Sequence, residues 1–275
     1  MSALPAGERA ALVAAAREAI AKGSQSFHGA SRLFAAETRE RAWLLYAWCR
    51  AADDMTDGQQ LGHDARAVPD PAATQAALEA MTAAAFTGDD PLPPAFAGLR
   101  AVARETGLPR GMATDHLAGF ALDAADWRPQ SEDDLLRYCY HVAGSVGCMM
   151  AVVMGVDPAD EDTLDRACDL GLAFQLANIA RDLVADAGVG RCYIPADWLT
   201  GLALAEGDIA EPPNRAALAA IAARLAGLAR DYRASALVGA ARLSPRSRLA
   251  VLAADAIYGA MGDRGVSLGP RACDQ

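Results

Sequence analysis

The sequence has little positive charge, and this limits what the protein can bind. It contains 25 Lys and Arg residues against 35 Asp and Glu, which gives a formal net charge of −10. A protein that binds nucleic acid needs a basic face, so the charge balance argues against that class. A phosphorylated small molecule remains compatible with it, because local arginines and bound metal set the field at a site.

Cysteine motifs for metal binding or redox chemistry are also missing. The six cysteines form no CxxC pair and show no zinc-ligand spacing. We therefore expect a reducing, cytoplasmic compartment and no disulfide framework. Charges interrupt the apolar positions of segment 1–22, which is typical of an amphipathic helix rather than a signal peptide.

The uncharged apolar run at 142–156 is too short to span a bilayer. It has 15 residues, whereas a membrane-spanning helix needs about 20. Its glycines suit close packing, so we interpret it as a buried helix. Peripheral contact with a membrane surface is left open.

Alternating β-branched runs of strand length are absent, and no repeat or low-complexity linker divides the chain. We therefore predict one all-α domain over residues 1–275. Helical periodicity with Gly and Pro breakers predicts helices at 10–22, 37–57, 72–86, 96–106, 109–125, 132–155, 159–186, 212–238 and 245–261, with 188–213 as the largest irregular stretch.

Two acidic helix faces, far apart in the sequence, dominate what is present. The first carries Tyr46, Arg50, Asp53 and Asp57, with Asp54 beside them. The second carries Gln175, Asn178, Asp182 and Asp186, with Arg181 beside them. Buried carboxylates repel one another unless a cation lies between them, and hard divalent cations prefer oxygen ligands. Each face alone fits a solvated helix end. Together with the arginines, the two faces favour a metal–diphosphate site.

The motifs at 46–57, 138–147, 178–186 and 190–195 resemble those of the squalene/phytoene synthase family, the head-to-head prenyl synthases. The resemblance is to the carotenoid branch and runs from Ser24 to about Tyr258. It implies an isoprenoid-synthase fold around a central cavity. It also implies Mg²⁺-dependent condensation of two geranylgeranyl diphosphates through prephytoene diphosphate, with Mn²⁺ as an alternative metal and no NADPH. Prenyl diphosphates are the implied substrates, and downstream carotenoid enzymes are left open as partners.

The resemblance also implies roles for individual residues. The implied metal ligands are Asp53, Asp54, Asp57, Asn178, Asp182 and Asp186. The implied catalytic residues are Asp53, Asp57, Asp182, Asp186, Tyr138 and Tyr258. The implied substrate-binding residues are Ser24, Ser26, Tyr46, Arg50, Gln175, Asn178 and Arg181. Other side chains receive a different interpretation: an apolar stripe on 142–153 is expected to wall a chamber, and Asp115, Asp123 and Asp126 are expected in solvent.

Three positions depart from the family pattern. Gln25 stands where Lys is usual, Ala185 where Glu is common, and Cys273 where Trp is expected. The first two predict weaker binding of metal or diphosphate, and the third suggests an altered or truncated C-terminus. Two alternatives stay open: a dehydrosqualene or squalene synthase that uses farnesyl diphosphate, and a catalytically silent relative that acts in binding or assembly.

Overall fold

The computed structural model describes residues 5–58, 68–209 and 211–268, without the side chains of residues 6, 26 and 258–268. The predicted sites at Ser26 and Tyr258 therefore lie outside the described side chains. The expectation about Cys273 lies outside the described residues altogether.

All regular structure in the described residues is helical, which confirms the all-α prediction. The α-helices are α1 (Ala6–Gly23), α2 (Gln25–Ser31), α3 (Ala36–Asp57), α4 (Pro71–Thr87), α5 (Pro94–Thr106), α6 (Arg110–Ala124), α7 (Glu132–Cys139), α8 (Ser145–Val153), α9 (Glu161–Gly188), α10 (Ala196–Gly201), α11 (Arg215–Ala240) and α12 (Pro245–Leu268). A π-helical turn, Tyr140–Gly144, joins α7 to α8. The assignment of 1–275 to a single domain stays a prediction.

The structure differs from the predicted elements at three places. The polar break after α1 is a cap rather than a loop, because the Ser24 hydroxyl accepts the backbone N–H of Phe27 and starts α2. The helix predicted at 132–155 is divided by the π-helical turn, in which backbone hydrogen bonds join residues five apart instead of four. The irregular stretch at 188–213 contains the short helix α10.

Two apolar clusters anchor the two acidic helices. Trp48 of α3 is fully buried in a cluster that includes side chains of α1, α5 and α8. Leu176 of α9 is fully buried in a second cluster that includes side chains of α10 and α11. At about 25 cal/mol per Å² of buried apolar surface, side chains of this kind contribute about 2 kcal/mol or more each. Burial of their apolar faces therefore sets the rotation of α3 and α9 and the direction of their polar faces.

The apolar run at 142–156 is a buried part of this core, as predicted. Met149, Val152 and Val153 are at most 2% exposed. Among the described residues, no helix has the length and apolar character that crossing a membrane requires.

Candidate active site

The two acidic helix faces meet in one cavity. A space of about 690 Å³ is lined by residues of α2, α3, α6 and α7, the π-helical turn, α8, α9, the segment after α9, and α12. Asp53 and Asp57 enter it from α3, and Asp182 and Asp186 enter it from α9. The remaining charged residues on its surface are Arg50, Asp123, Arg181 and Arg191. The structure thus brings together acids that are more than 100 residues apart in the sequence.

On α3, the carboxylates are held by arginines from two elements. Arg50 forms ion pairs with Asp53 and Asp54, each at 3.0 Å. Arg191, from the segment after α9, donates to Asp57 through Nη2 at 3.0 Å. Burial raises the pKa of Asp53, Arg50 opposes this shift, and the neighbouring Asp57 adds to it. Two arginines thus pair with three α3 carboxylates, of which Asp53 and Asp57 line the cavity.

On α9, the second pair of carboxylates has a similar environment. Arg181 donates through Nε to Asp182 at 2.7 Å. Burial raises the pKa of Asp186, and repulsion from Asp182 raises it further. Asn178 and Gln175 line the cavity one and two turns earlier on the same helix. The α9 wall therefore offers carboxylate and amide oxygens side by side.

These oxygen atoms suit Mg²⁺ only if the ion is held jointly by the protein and a substrate phosphate. Among the described residues, no three His, Cys, Asp or Glu side chains are grouped closely enough to hold a metal by themselves. Mg²⁺ usually binds one or two carboxylates and takes its other oxygens from water and substrate phosphates. Carboxylates with raised pKa on two walls suit that arrangement, because a cation between them relieves their repulsion.

The other predicted site residues divide between the cavity and elsewhere. Ser24, Tyr46 and Gln175 line the cavity. Asp54 lines a separate depression between α1, α3 and α5 instead. Gln25 is exposed on the first turn of α2, next to the cavity residue Ser24.

Two stacked aromatic rings, those of Tyr138 and Tyr193, line one side of the cavity. Tyr138 lies between Trp127 and Tyr193, with ring centroids 6.0 and 4.8 Å apart and planes tilted by 20° and 22°. Asp123, at the end of α6, accepts the hydroxyl groups of Tyr138 and Tyr193, each at 3.1 Å. We call Tyr138, Tyr193 and Asp123 the aromatic wall. Burial raises the pKa of Asp123 to about 6, although both phenol hydrogen bonds lower it.

The expectation that Asp123 is in solvent was therefore wrong. Its carboxylate is partly buried and bonded because α6 ends against α7. Asp115 is also partly buried and accepts the Tyr140 hydroxyl at 2.6 Å, so that expectation was wrong too. Asp126 is 82% exposed, as predicted.

An apolar chamber continues from the cavity. It has a volume of about 280 Å³, and both spaces are lined by Val142, Val146, Phe174, Gln175 and Asn178. Small residues of α11 and α12 form another part of its wall, namely Ala236, Gly239, Ala240, Ala250 and Ala254, the last of which also lines the cavity. Met150 of the predicted stripe also lines it, whereas Met149 and Val153 pack in the core. We call the part of the cavity that carries the four aspartates and three arginines the charged pole; its residues are Asp53, Asp57, Asp182, Asp186, Arg50, Arg181 and Arg191. This pole thus opens into a space that suits a hydrocarbon chain.

Comparison with known proteins decides the family. The family model described as Squalene/phytoene synthase matches residues 20–265. The chain belongs to the squalene/phytoene synthase family. A 15-cis-phytoene synthase of Pantoea ananas is 48% identical over 260 residues, covering 94% of this chain and 84% of that protein. A 15-cis-phytoene synthase of Paracoccus sp. (strain N81106 / MBIC 01143) is 50% identical over 267 residues, covering 96% and 85%.

Solved structures of the squalene/phytoene synthase family share the fold. A dehydrosqualene synthase in complex with ligand superposes with a TM-score of 0.82 at 28% identity, covering 92% of this chain and 85% of that one. The squalene synthase HpnC from Alicyclobacillus acidocaldarius gives a TM-score of 0.79 at 23% identity, covering 95% and 97%. The second likeness concerns the fold alone. These matches confirm the predicted isoprenoid-synthase fold.

Sequence reasoning did not place three residues in this cavity, namely Asp123, Arg191 and Tyr193. Arg191 and Tyr193 lie within the motif at 190–195, so the motif was found but its cavity-facing side chains were not assigned. Asp123 had no such signal, because a single acid at a helix end resembles an ordinary solvated residue.

Proposed function

We propose that the protein is a 15-cis-phytoene synthase, which joins two geranylgeranyl diphosphates head to head and releases diphosphate. This reaction is the first committed step of carotenoid biosynthesis. One observation carries the proposal: two aspartate-bearing helix faces and three arginines meet in a cavity that continues into an apolar chamber. The relatives that are 48% and 50% identical bear that name, which supports the choice of substrate within the family.

The charged pole would serve the leaving group. Breaking the bond between an allylic carbon and diphosphate separates charge, so the leaving group needs cations close by. Mg²⁺ bound to the diphosphate would neutralise much of its charge. The residues proposed to hold the metal are Asp53, Asp57, Asn178, Asp182 and Asp186. Arg50, Arg181 and Arg191 would contact the remaining phosphate oxygens, since guanidinium groups match their geometry.

The apolar chamber and the aromatic wall would serve the carbocation. Water would quench an allylic cation, so the reacting carbons need a dry space. The hydrocarbon chains would occupy the chamber and pass the valines that both spaces share. The rings of Tyr138 and Tyr193 line the cavity next to the charged pole, and aromatic rings attract cations through their quadrupole.

Two ionisations and two proton losses complete the reaction. The first forms a carbon–carbon bond and the cyclopropyl ring of prephytoene diphosphate, and one proton leaves. The second ionisation rearranges that ring, and loss of another proton forms the central double bond. NADPH is not consumed, because the last step removes a proton instead of adding hydride. We assign the role of base for the final proton to the released diphosphate. Burial raises the pKa of Tyr138, so its phenol stays protonated and cannot accept that proton.

A product assay tests this proposal against its alternatives. Purified protein with Mg²⁺ and geranylgeranyl diphosphate should release diphosphate and yield 15-cis-phytoene, identified by chromatography. Farnesyl diphosphate, with and without NADPH, is the matched substrate control. A C30 hydrocarbon formed more efficiently than phytoene would instead support a dehydrosqualene or squalene synthase.

Two variants test the metal assignment and the silent-relative alternative. Asp53→Ala and Asp182→Ala should each abolish turnover while leaving the helical circular dichroism unchanged. Undiminished phytoene from either variant would contradict the roles assigned to these acids. Absence of any Mg²⁺-dependent diphosphate release by the wild type would favour a binding or assembly protein.

We also propose a cytoplasmic enzyme that touches a membrane peripherally, because its product is a hydrocarbon. Leu237, Val238 and Leu249 are 41–54% exposed near the turn between α11 and α12. The inner faces of the same two helices line the apolar chamber. Co-sedimentation with lipid vesicles should depend on these three side chains.

A further inference from the structure

Asp123 joins two phenols that come from different parts of the chain. It lies at the end of α6, Tyr138 belongs to α7, and Tyr193 lies in the segment after α9. Its Oδ1 accepts the Tyr193 hydroxyl at 3.1 Å, and both of its oxygens lie 3.1 Å from the Tyr138 hydroxyl. One carboxylate therefore orients two rings that line the cavity.

A carboxylate is suited to this task in a way that an amide is not. Each of its two oxygens accepts hydrogen bonds, so both phenols can donate to it at once. An asparagine of the same shape has one accepting oxygen and one donating nitrogen. With its oxygen in the place of Oδ1, that amide would still accept both hydroxyl groups, but it would carry no negative charge.

The charge of Asp123 also acts on the rings. A phenol that donates to a carboxylate has a more electron-rich ring than one that donates to a neutral group. Hydrogen bonds to an ionised acceptor are roughly twice as strong as neutral ones, so they also restrict ring movement. Both effects favour attraction between a ring and a cation.

We propose that Asp123 is the positioning residue of the aromatic wall, which holds Tyr138 and Tyr193 against the carbocation through their hydroxyl groups. This inference rests on the proposed function of the site. Asp123 acts through the two tyrosines rather than on the diphosphate. Its loss should therefore slow the steps that pass through carbocations and leave binding of substrate and metal unchanged.

The chain offers a matched control on the same helix. Asp115 of α6 accepts the hydroxyl of Tyr140 at 2.6 Å, and neither side chain lines the cavity or the apolar chamber. Asp115→Asn thus makes the same chemical change in a carboxylate–tyrosine pair outside the site. Steady-state kinetics with geranylgeranyl diphosphate, together with thermal melting, compares the two variants.

Asp123→Asn should lower kcat by about tenfold or more, with the KM for geranylgeranyl diphosphate and the half-saturating Mg²⁺ concentration changed by less than about twofold. The released products should contain a larger fraction of prephytoene diphosphate or its alcohol. Asp115→Asn should leave kcat within about twofold of the wild type. An unchanged kcat and product ratio in Asp123→Asn would overturn the proposal, as would an equal loss in both variants.

A double variant tests whether Asp123 acts through the hydroxyl groups of the two tyrosines. In a Tyr138→Phe/Tyr193→Phe protein, the further change Asp123→Asn should alter kcat by less than about twofold, because the hydroxyl groups it positions are gone. A further tenfold loss there would show that Asp123 acts by another route. If Asp123→Asn does not fold, Tyr193→Phe decides: kcat should fall with KM unchanged, and an unaltered kcat refutes the inference.

These results are separable from a failure of the proposed function. If the wild type converts no geranylgeranyl diphosphate and releases no diphosphate, the proposed function fails. If the wild type is active and Asp123→Asn matches it, only the role of Asp123 fails.

Discussion

The contact between α9 and the π-helical turn predicts a large effect from one added methyl group. A Cβ built on Gly171 would overlap the carbonyl oxygen of Ala143 and would lie 2.6 Å from its carbonyl carbon and 2.7 Å from the Cα of Gly144. All three atoms belong to backbone, so no side-chain rotation relieves the overlap. Gly171→Ala must therefore push α9 away from the turn.

Overpacking of this kind costs about 1–3 kcal/mol, and more where backbone meets backbone. For a protein of this size, each kcal/mol corresponds to about 2–4 °C in Tm. We therefore expect Gly171→Ala to lower Tm by about 2–12 °C. Asn178 lies two turns further along the same helix, so kcat should fall as well.

Gly227→Ala is the matched control for this change. Gly227 lies within α11, and a Cβ there would meet only the end of the Arg230 side chain at 3.8 Å. Alanine is favoured over glycine inside a helix by about 0.5–1 kcal/mol, so this variant should melt at or above the wild-type temperature. Differential scanning calorimetry measures both. A Tm of Gly171→Ala within about 1 °C of the wild type would refute the close approach of these backbones.

Three further predictions concern charges in or beside the cavity. Arg191→Ala should raise the KM for geranylgeranyl diphosphate by about tenfold or more, since a charge-assisted hydrogen bond to the substrate is lost. It should lower the free energy of unfolding by less than about 1 kcal/mol, since the contact of Arg191 with Asp57 is partly exposed. An unchanged KM in steady-state assays would exclude Arg191 from the diphosphate site. Gln25→Lys should lower that KM by about two- to fivefold, because one cation is added beside the cavity; no change would place residue 25 away from the diphosphate. Because burial raises the pKa of Asp123 from 3.8 to about 6, the folded protein binds this proton more tightly than the unfolded chain. The unfolding free energy of the wild type should therefore fall relative to Asp123→Asn by about 3 kcal/mol as pH rises through that interval. A constant difference in denaturant titrations would contradict the shift.

Periodicity and spacing were enough to predict the long helices and the residues that share each acidic face. The helix predicted at 37–57 is Ala36–Asp57 in the structure, because apolar positions repeat along it and Gly58 ends it. The same logic gave α9, whose predicted range of 159–186 is close to Glu161–Gly188. On both helices, spacing alone aligned the aspartates on one face.

Features that depend on tertiary contacts could not be predicted in this way. Gly144 of the π-helical turn and Gly171 of α9 approach each other closely, and no local pattern records this tertiary contact. Asp123 and Arg191 gain their roles only because partners from other elements reach them. A lone polar residue at a helix end or in a loop has no periodicity to reveal its direction.

The central claim is that α3 and α9 jointly hold a diphosphate through Mg²⁺. Calorimetric titration of the protein with inorganic diphosphate, with and without Mg²⁺, measures this directly. Binding should require Mg²⁺ and should be lost in both Asp53→Ala and Asp182→Ala, since each variant removes a carboxylate from a different helix. Binding that is independent of Mg²⁺, or that survives unchanged in either variant, would contradict the claim.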